Sequence, residues 1–244
     1  MQLLVSLRAA DEVGAALAGG ADIIDAKEPE RGSLGPVAPE VLRAISARVP
    51  ATMPLSVALG DFTAAEAVRE AVAAASPRPR RAPVYLKLGF AGARSPSAVR
   101  PLVAAAIESA ALAPARPIVV PVAYADWREA GSPAPEDVLA AAIAAGARAF
   151  LVDTCTKDGK GLLDRLELGR VRALATEGRA AGLLVALAGS LDLVALDRIA
   201  GLADVVGIRG GACLGGRTGR LDAGLIRRFR DRMESGTQPL STAI

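Results

Sequence analysis

Short apolar runs recur along the chain, and between them lie alanine-rich stretches whose apolar positions repeat every three or four residues. The runs predict strands at 2–6, 22–26, 54–58, 84–88, 117–123, 149–153, 183–188 and 204–208. The amphipathic stretches predict helices at 9–18, 38–48, 63–75, 96–112, 135–145, 162–181, 191–200 and 222–234. Near-continuous apolar strands that alternate with helices indicate a parallel sheet covered on its outside. Eight such units in a row predict closure into a (β/α)8 barrel, the TIM-barrel class of α/β fold. The competing architecture, a doubly wound open sheet, carries a glycine-rich turn after its first strand. Here "LLVSLRAADE" has no glycine, so the barrel is expected.

No linker or shift in composition divides the chain, which reads as one domain over 1–244 with about the last ten residues as a flexible tail. The segments "AGGADIID", "AAGARAFLVD" and "IAGLADVVGI" share a pattern in which glycine ends a helix and an apolar strand follows. That is helix-to-strand turn chemistry and marks no functional repeat.

Composition narrows the chemistry. With 52% hydrophobic residues in 244, a substantial core is expected, while no apolar run reaches the ~20 residues of a membrane span. The N-terminal "MQLLVSLRAADE" has no basic stretch before its apolar run, so a signal peptide is not expected and a cytoplasmic protein is. Cys155 and Cys213 are the only cysteines, which gives no disulfide framework, suits a reducing compartment and leaves both as packing residues. The net charge is +3, and one Trp, two Tyr and four Phe offer no base-stacking platform. The basic cluster "SPRPRRA" (76–82) reads as a solvated loop. Neither nucleic acid nor a membrane is an expected partner; association with further copies of the chain stays open. The chain has no histidine, which removes Ser-His-Asp triads, imidazole metal sites and the usual neutral-pH base together. Lysine, carboxylate, tyrosine, cysteine or a cofactor must carry any reaction.

In this fold the site lies at the C-terminal ends of the strands, so polar residues there carry the functional information. Strand 2 delivers Asp25 and Lys27, strand 4 Lys87, and strand 6 Asp153; Asp126 follows strand 5, and Lys157, Asp158 and Lys160 follow strand 6. Asp25 and Lys27 are two apart and share a face. If that face is the barrel interior, Lys27 is crowded by Lys87 and partly desolvated, both of which favour a neutral amine able to form a Schiff base with a carbonyl. A purely structural alternative pairs Asp25 with Lys27, or Asp153 with Lys87, as buried ion pairs. Asp126 suits orienting a lysine, acting as an acid, or capping a turn. Tyr85, two before Lys87, faces the same side and reads as packing.

The ends of strands 7 and 8, "ALAGSL" and "GIRGGACLGGRTGR", are rich in small residues. Gly189, Ser190, Gly210 and Gly211 free backbone N–H groups for a phosphate at the fold's usual phosphate position, and Arg209 offers a planar fork to it. Ser190 also suits a helix cap. A phosphorylated small-molecule substrate is expected.

The segments "GGADIIDAKEPERGSLG", "YLKLG", "LVDTCTKDGK", "ALAGS" and "GIRGGACLGGRTGRLD" resemble the (5-formylfuran-3-yl)methyl phosphate synthase family. The resemblance runs from the first strand to the last helix and weakens only at "SPRPRRAPV", a loop on the face opposite the site. It implies a (β/α)8 barrel that condenses two molecules of glyceraldehyde 3-phosphate into 4-(hydroxymethyl)-2-furancarboxaldehyde phosphate, the furan precursor of methanofuran and methylofuran. Phosphate and water leave, making the enzyme a lyase. By motif, the Schiff-base lysine falls on Lys27 and the proton acceptor on Lys87, with Asp153 and Lys157 at further active-site positions. No cofactor or metal is required. Two alternatives stand beside it: a generic Schiff-base aldolase or transaldolase on sugar phosphates, and a non-catalytic phosphate-binding barrel.

Overall fold

The computed structural model describes residues 1–75 and 79–235; Ser76–Arg78 of the basic loop and the expected tail, 236–244, lie outside the described residues. The eight expected strands form as β1 (Gln2–Leu7), β2 (Ile23–Ala26), β3 (Leu55–Asp61), β4 (Val84–Gly89), β5 (Ile118–Tyr124), β6 (Ala149–Asp153), β7 (Leu184–Leu187) and β8 (Val205–Ile208). They pair in chain order, all parallel, and β8 returns to β1 to close the (β/α)8 barrel.

Helices lie outside: α1 (Val13–Ala18), α2 (Pro39–Arg48), α3 (Ala65–Ala75), α4 (Pro96–Leu112), α5 (Trp127–Ala130), α6 (Pro135–Ala144), α7 (Leu162–Arg165), α8 (Leu168–Ala180), α9 (Leu193–Arg198) and α10 (Ala223–Ser235). Two expectations are corrected here. The helix over 162–181 is two helices, because Leu166 turns extended (φ −135°, ψ 126°) and is buried between them. The helix over 9–18 starts as a 3-10 turn at Ala10–Glu12, where the Glu12 carboxylate accepts the Arg8 N–H at 2.8 Å. The four-residue α5 and a short hairpin, β9 (Cys213–Leu214) with β10 (Arg220–Leu221), were not foreseen.

Side-chain parity sorts the strands into two cores. Leu3, Val5, Ile24, Leu86, Val152 and Leu187 face outward and pack under the helices. Ile23, Ala58, Val122, Leu151, Ala186 and Val205 face inward. On β2 that parity sends Ile24 and Ala26 outward, and Ile23, Asp25 and Lys27 inward. A one-residue slip would exchange the two sets, so burying the outer set fixes the inner one.

The last helix closes the ring. Arg227 and Arg230 of α10 donate to the carbonyls of Ala18 and Gly20 at the end of α1. Gly19 faces Ile226 so closely that no Cβ fits between them. At the opposite end from the site, Arg80 donates to the carbonyls of Ser46, Val49 and Pro50 and so caps α2. The described part of the basic loop is thus partly structural. Among the described residues, no helix is long and apolar enough to cross a membrane.

Candidate active site

An open cavity of about 840 Å3, mouth included, runs down the barrel axis from the C-terminal ends of the strands. Lys27, Lys87, Asp153, Lys157, Gly189, Ser190, Arg209 and Gly210 all line it. Asp25 lies within its wall, fully buried.

The ion pairs differ from both structural alternatives read from the sequence. Asp25 pairs with Lys87, whose Nζ lies 2.6 Å from Oδ2, and the same oxygen accepts from Ser6 Oγ at 2.7 Å. Asp153 pairs with Lys157 at 3.1 Å, and Lys157 also donates to Thr154 O (2.6 Å) and Thr154 Oγ1 (2.9 Å). Burial pushes the Asp25 carboxyl up, but the Lys87 and Lys27 charges and two hydrogen bonds outweigh it and hold it below the ordinary value. Burial likewise pushes Asp153 up; Lys157, Lys27 and the Thr154 N–H bring it down to about 2.

Lys27 stands apart. It is 7% exposed, and among the described residues no side chain is within hydrogen-bond or ion-pair distance of its Nζ. Burial pulls its ammonium down to about 7; Asp153 and Asp25 oppose the pull, and the Lys87 and Lys157 charges add to it. A cavity-facing amine with no partner, its ammonium lowered to about 7, has the chemistry of a nucleophile.

The chain around Lys27 folds back over the mouth. After the 3-10 turn Pro29–Arg31, Gly32 takes φ +93° and its carbonyl accepts from Arg217 Nη2 at 2.6 Å. Ser33 Oγ, buried, lies 2.7 Å from Thr154 O and 3.3 Å from Asp153 Oδ2. Leu34 then plugs the inner core. The run from Asp25 to Gly35 thus supplies a carboxylate, an amine, a tie to the end of β6 and a hydrophobic stopper.

Arg209 requires a correction. It lines the cavity, yet its five N–H donors are committed: Nε to Arg217 O, Nη1 to Ser6 O and Glu12, and Nη2 to Glu12 and Gly219 O. It holds the rim together and has no donor left for a phosphate. Arg217, which sequence reasoning passed over, also lines the cavity and spends only Nη2 on a protein acceptor. Gly189 (φ +108°) and Ser190 (φ +48°) turn at the end of β7, where a Cβ on Gly189 would meet Thr154 at 3.0 Å. Ser190 caps nothing; Asp192 caps α9 by accepting the Ala195 N–H. Gly210 and Gly211 open a 3-10 turn whose first N–H groups have no intrahelical partner.

Asp126 accepts the N–H groups of Cys155 and Thr156, both at 2.7 Å, and so clamps the loop that presents Lys157. That is its capping alternative. Asp158 pairs with Arg165 outside the cavity, at 2.6 Å, and Lys160 does not line the cavity. Burial raises the Cys155 thiol to about 11 and raises Cys213 as well; neither is an activated nucleophile. Beyond packing, Tyr85 lines the cavity. Besides Arg217, sequence reasoning missed Ser6, Ser33, Ser56 and Glu12. The serines at 6 and 56 had a signal, each being a hydroxyl at an inward position of an apolar strand.

The family described as 4-HFC-P synthase matches residues 3–230. The (5-formylfuran-3-yl)methyl phosphate synthase of Methanothermobacter thermautotrophicus is 34% identical over 246 residues, covering 96% of this chain and 100% of that protein. That of Methanocaldococcus jannaschii is 32% identical over 240 residues, covering 95% and 99%. Among solved structures, phosphoribosyl anthranilate isomerase from Thermus thermophilus superposes with a TM-score of 0.60 at 17% identity, covering 96% of this chain and 99% of that one; this shows the fold.

Proposed function

The chain belongs to the 4-HFC-P synthase family, and from that premise we propose that it condenses two molecules of glyceraldehyde 3-phosphate through an imine on Lys27. The carbon skeletons join to give 4-(hydroxymethyl)-2-furancarboxaldehyde phosphate, while one phosphate and two waters leave. This is a carbon–oxygen lyase reaction in the biosynthesis of the methanofuran or methylofuran cofactor. The protein works in the cytoplasm. The observation that carries the reading is the contrast between Lys27, buried and unpartnered, and the two lysines beside it that are held in ion pairs.

The neutral Lys27 amine adds to the carbonyl carbon of one triose phosphate. The Lys87 ammonium, aimed by Asp25, gives its proton to the departing hydroxyl, and water leaves as the iminium forms. Lys87 is now a neutral amine, and it takes the proton from the carbon beside the iminium to leave an enamine. That carbon attacks the aldehyde carbon of the second triose phosphate, whose oxygen takes the proton now held on Lys87. A hydroxyl that later closes the ring onto the iminium carbon displaces the Lys27 amine. Asp153 and Lys157 relay protons during the dehydrations that close the furan. The N–H groups of Gly189, Ser190, Gly210 and Gly211, with Arg217, hold a phosphate in place of the Arg209 contact expected from the sequence. No metal or cofactor is needed for these steps.

The test is to incubate the pure protein with glyceraldehyde 3-phosphate and follow furan absorbance and inorganic phosphate together. The proposal predicts both, in equal amounts. Carbon–carbon bond formation without phosphate release would mean a simple aldolase, and no change in either would leave a binding barrel.

A further inference from the structure

Three strands meet at one carboxylate oxygen. Ser6 on β1 and Asp25 on β2 are register partners, and Ser6 Oγ donates to Asp25 Oδ2 at 2.7 Å. Lys87 reaches the same oxygen from β4, at 2.6 Å, across the intervening β3. Small side chains on β3 leave the way open: Ala58 is the register partner of Lys87, and Ser56 that of Asp25. Ser6 is braced in turn, because its carbonyl accepts from Arg209 Nη1 at 2.9 Å and Glu12 holds that arginine. A chain of contacts thus runs from the β1–β8 seam to the ammonium of Lys87.

The reaction proposed above makes a demand on this chain. Lys87 gives its proton away as the iminium forms and then works as a neutral amine. For that interval the fully buried Asp25 loses its ion-pair partner, and Ser6 is the donor left on Oδ2. A buried carboxylate stripped of donors is driven to take up a proton, whereas a hydrogen bond to the charged form preserves it. The charged groups that face Asp25 are Lys87 and Lys27, and Lys27 is by then bonded to substrate; the flanking strands present the uncharged Ser6 and Ser56. Resting on the imine reading above, we propose that Ser6 is a positioning residue for proton transfer: its hydroxyl keeps the Asp25 carboxylate charged and directed at Lys87 while the Lys87 proton is away. Lys87 then stands ready to take the proton from the carbon beside the iminium. Ser6 acts through Asp25, not on the substrate.

Proton abstraction can be read by itself. Glyceraldehyde 3-phosphate that carries tritium on the carbon beside the aldehyde releases it to water when that carbon is deprotonated, so a single turnover reports the step. Ser6→Ala should slow this release about tenfold or more, the effect of one hydrogen bond to a charged group. In steady state kcat should fall with it, while KM stays within about twofold because no substrate contact is lost. Ser6→Thr, which keeps the hydroxyl, should recover most of the rate. Ser6→Cys, which keeps the volume with a weaker donor, should stay slow. A packing role would give the reverse order, since threonine adds a methyl group and cysteine adds none. Release from Ser6→Ala at the unmodified rate, or from Ser6→Cys as fast as from Ser6→Thr, overturns the positioning role while borohydride labelling of Lys27 keeps the imine standing. If Ser6→Thr fails to fold, Ser6→Cys decides: a rate like that of Ser6→Ala supports the role, and a rate like that of the unmodified protein overturns it. If the unmodified protein neither labels at Lys27 nor releases tritium, the imine reading itself fails, and the role of Ser6 with it.

Discussion

The barrel has two inner walls built on the same parity rule, with opposite contents. From β1 to β4 the inward positions add Ser6, Asp25, Lys27, Ser56, Tyr85 and Lys87 to the apolar Leu4, Ile23 and Ala58; from β5 to β8 they include Val120, Val122, Leu151, Leu184, Ala186 and Val205. Asp153, at the tip of β6, is the charged exception on the second wall. The second half contributes its polar groups mainly from loops: Lys157, the Gly189–Ser190 turn, the Gly210–Gly211 turn and Arg217. Groups on strands are held by the backbone ladder and by each other, as the Ser6–Asp25–Lys87 bonds of 2.6–2.7 Å illustrate. Groups on loops are held by clamps such as Asp126 and the Gly32–Arg217 bond. Covalent chemistry needs the first kind of precision and suits the first wall; phosphates of variable position suit the second.

Substitutions that break this division should rank by wall. Lys27→Arg keeps a cation of similar reach, but guanidinium stays protonated and forms no imine. It should fold, by circular dichroism, and lose nearly all turnover and all reductive labelling. An ordinary ion-pair partner would tolerate the change.

Lys87→Met removes the proton carrier and leaves Asp25 buried and unpaired. Turnover should fall about 10²–10⁴-fold, and denaturant unfolding should show a loss of about 3–5 kcal/mol. Lys27 should still be trapped as an imine, but more slowly, because Lys87 also supplies the proton for iminium formation. Label at position 87 in the unmodified protein, with Lys27 silent, would reverse the two roles.

The two rim arginines sharpen the comparison on the loop side. Arg209→Ala strands the Glu12 carboxylate and should cost about 3–5 kcal/mol of stability. Arg217→Ala should instead raise KM for the triose phosphate with kcat little changed, since a ground-state phosphate contact is uniform binding. Steady-state kinetics on both variants checks the assignment, and a KM effect confined to Arg209→Ala would return the phosphate to Arg209. On the apolar wall, Leu151→Ala should cost about 2–5 kcal/mol by cavity creation and change the labelling rate at Lys27 least of all.

The fold was legible because its signal is repetitive. β6 and α4 match the expected ranges at both ends, and strand parity alone put Asp25, Lys27, Lys87 and Asp153 around one cavity. What stayed hidden was which charge meets which. Asp25 lies two residues from Lys27 and sixty-two from Lys87, and it bonds the distant one because β2 and β4 curve toward a common axis. Arg209 was misread for a similar reason. Its fork is aimed by Glu12, 197 residues away, across the β1–β8 seam that only closure creates. Arg217 lies in a glycine-rich hairpin whose path no periodicity encodes.

The central claim is that Lys27 is a nucleophile whose amine is half neutral near pH 7. An ordinary lysine titrates near pH 10.4, and burial favours the neutral form, so the reactive fraction should grow as pH rises through 7 and level off about one unit above it. The direct measurement is the initial rate of borohydride trapping with glyceraldehyde 3-phosphate from pH 5 to 10, with the label located by peptide mass spectrometry and each rate corrected with a free-amine standard. The account predicts label on Lys27 with a midpoint near pH 7 and a plateau beyond. Label on another lysine, or a rate at Lys27 that keeps climbing toward pH 10, would contradict it.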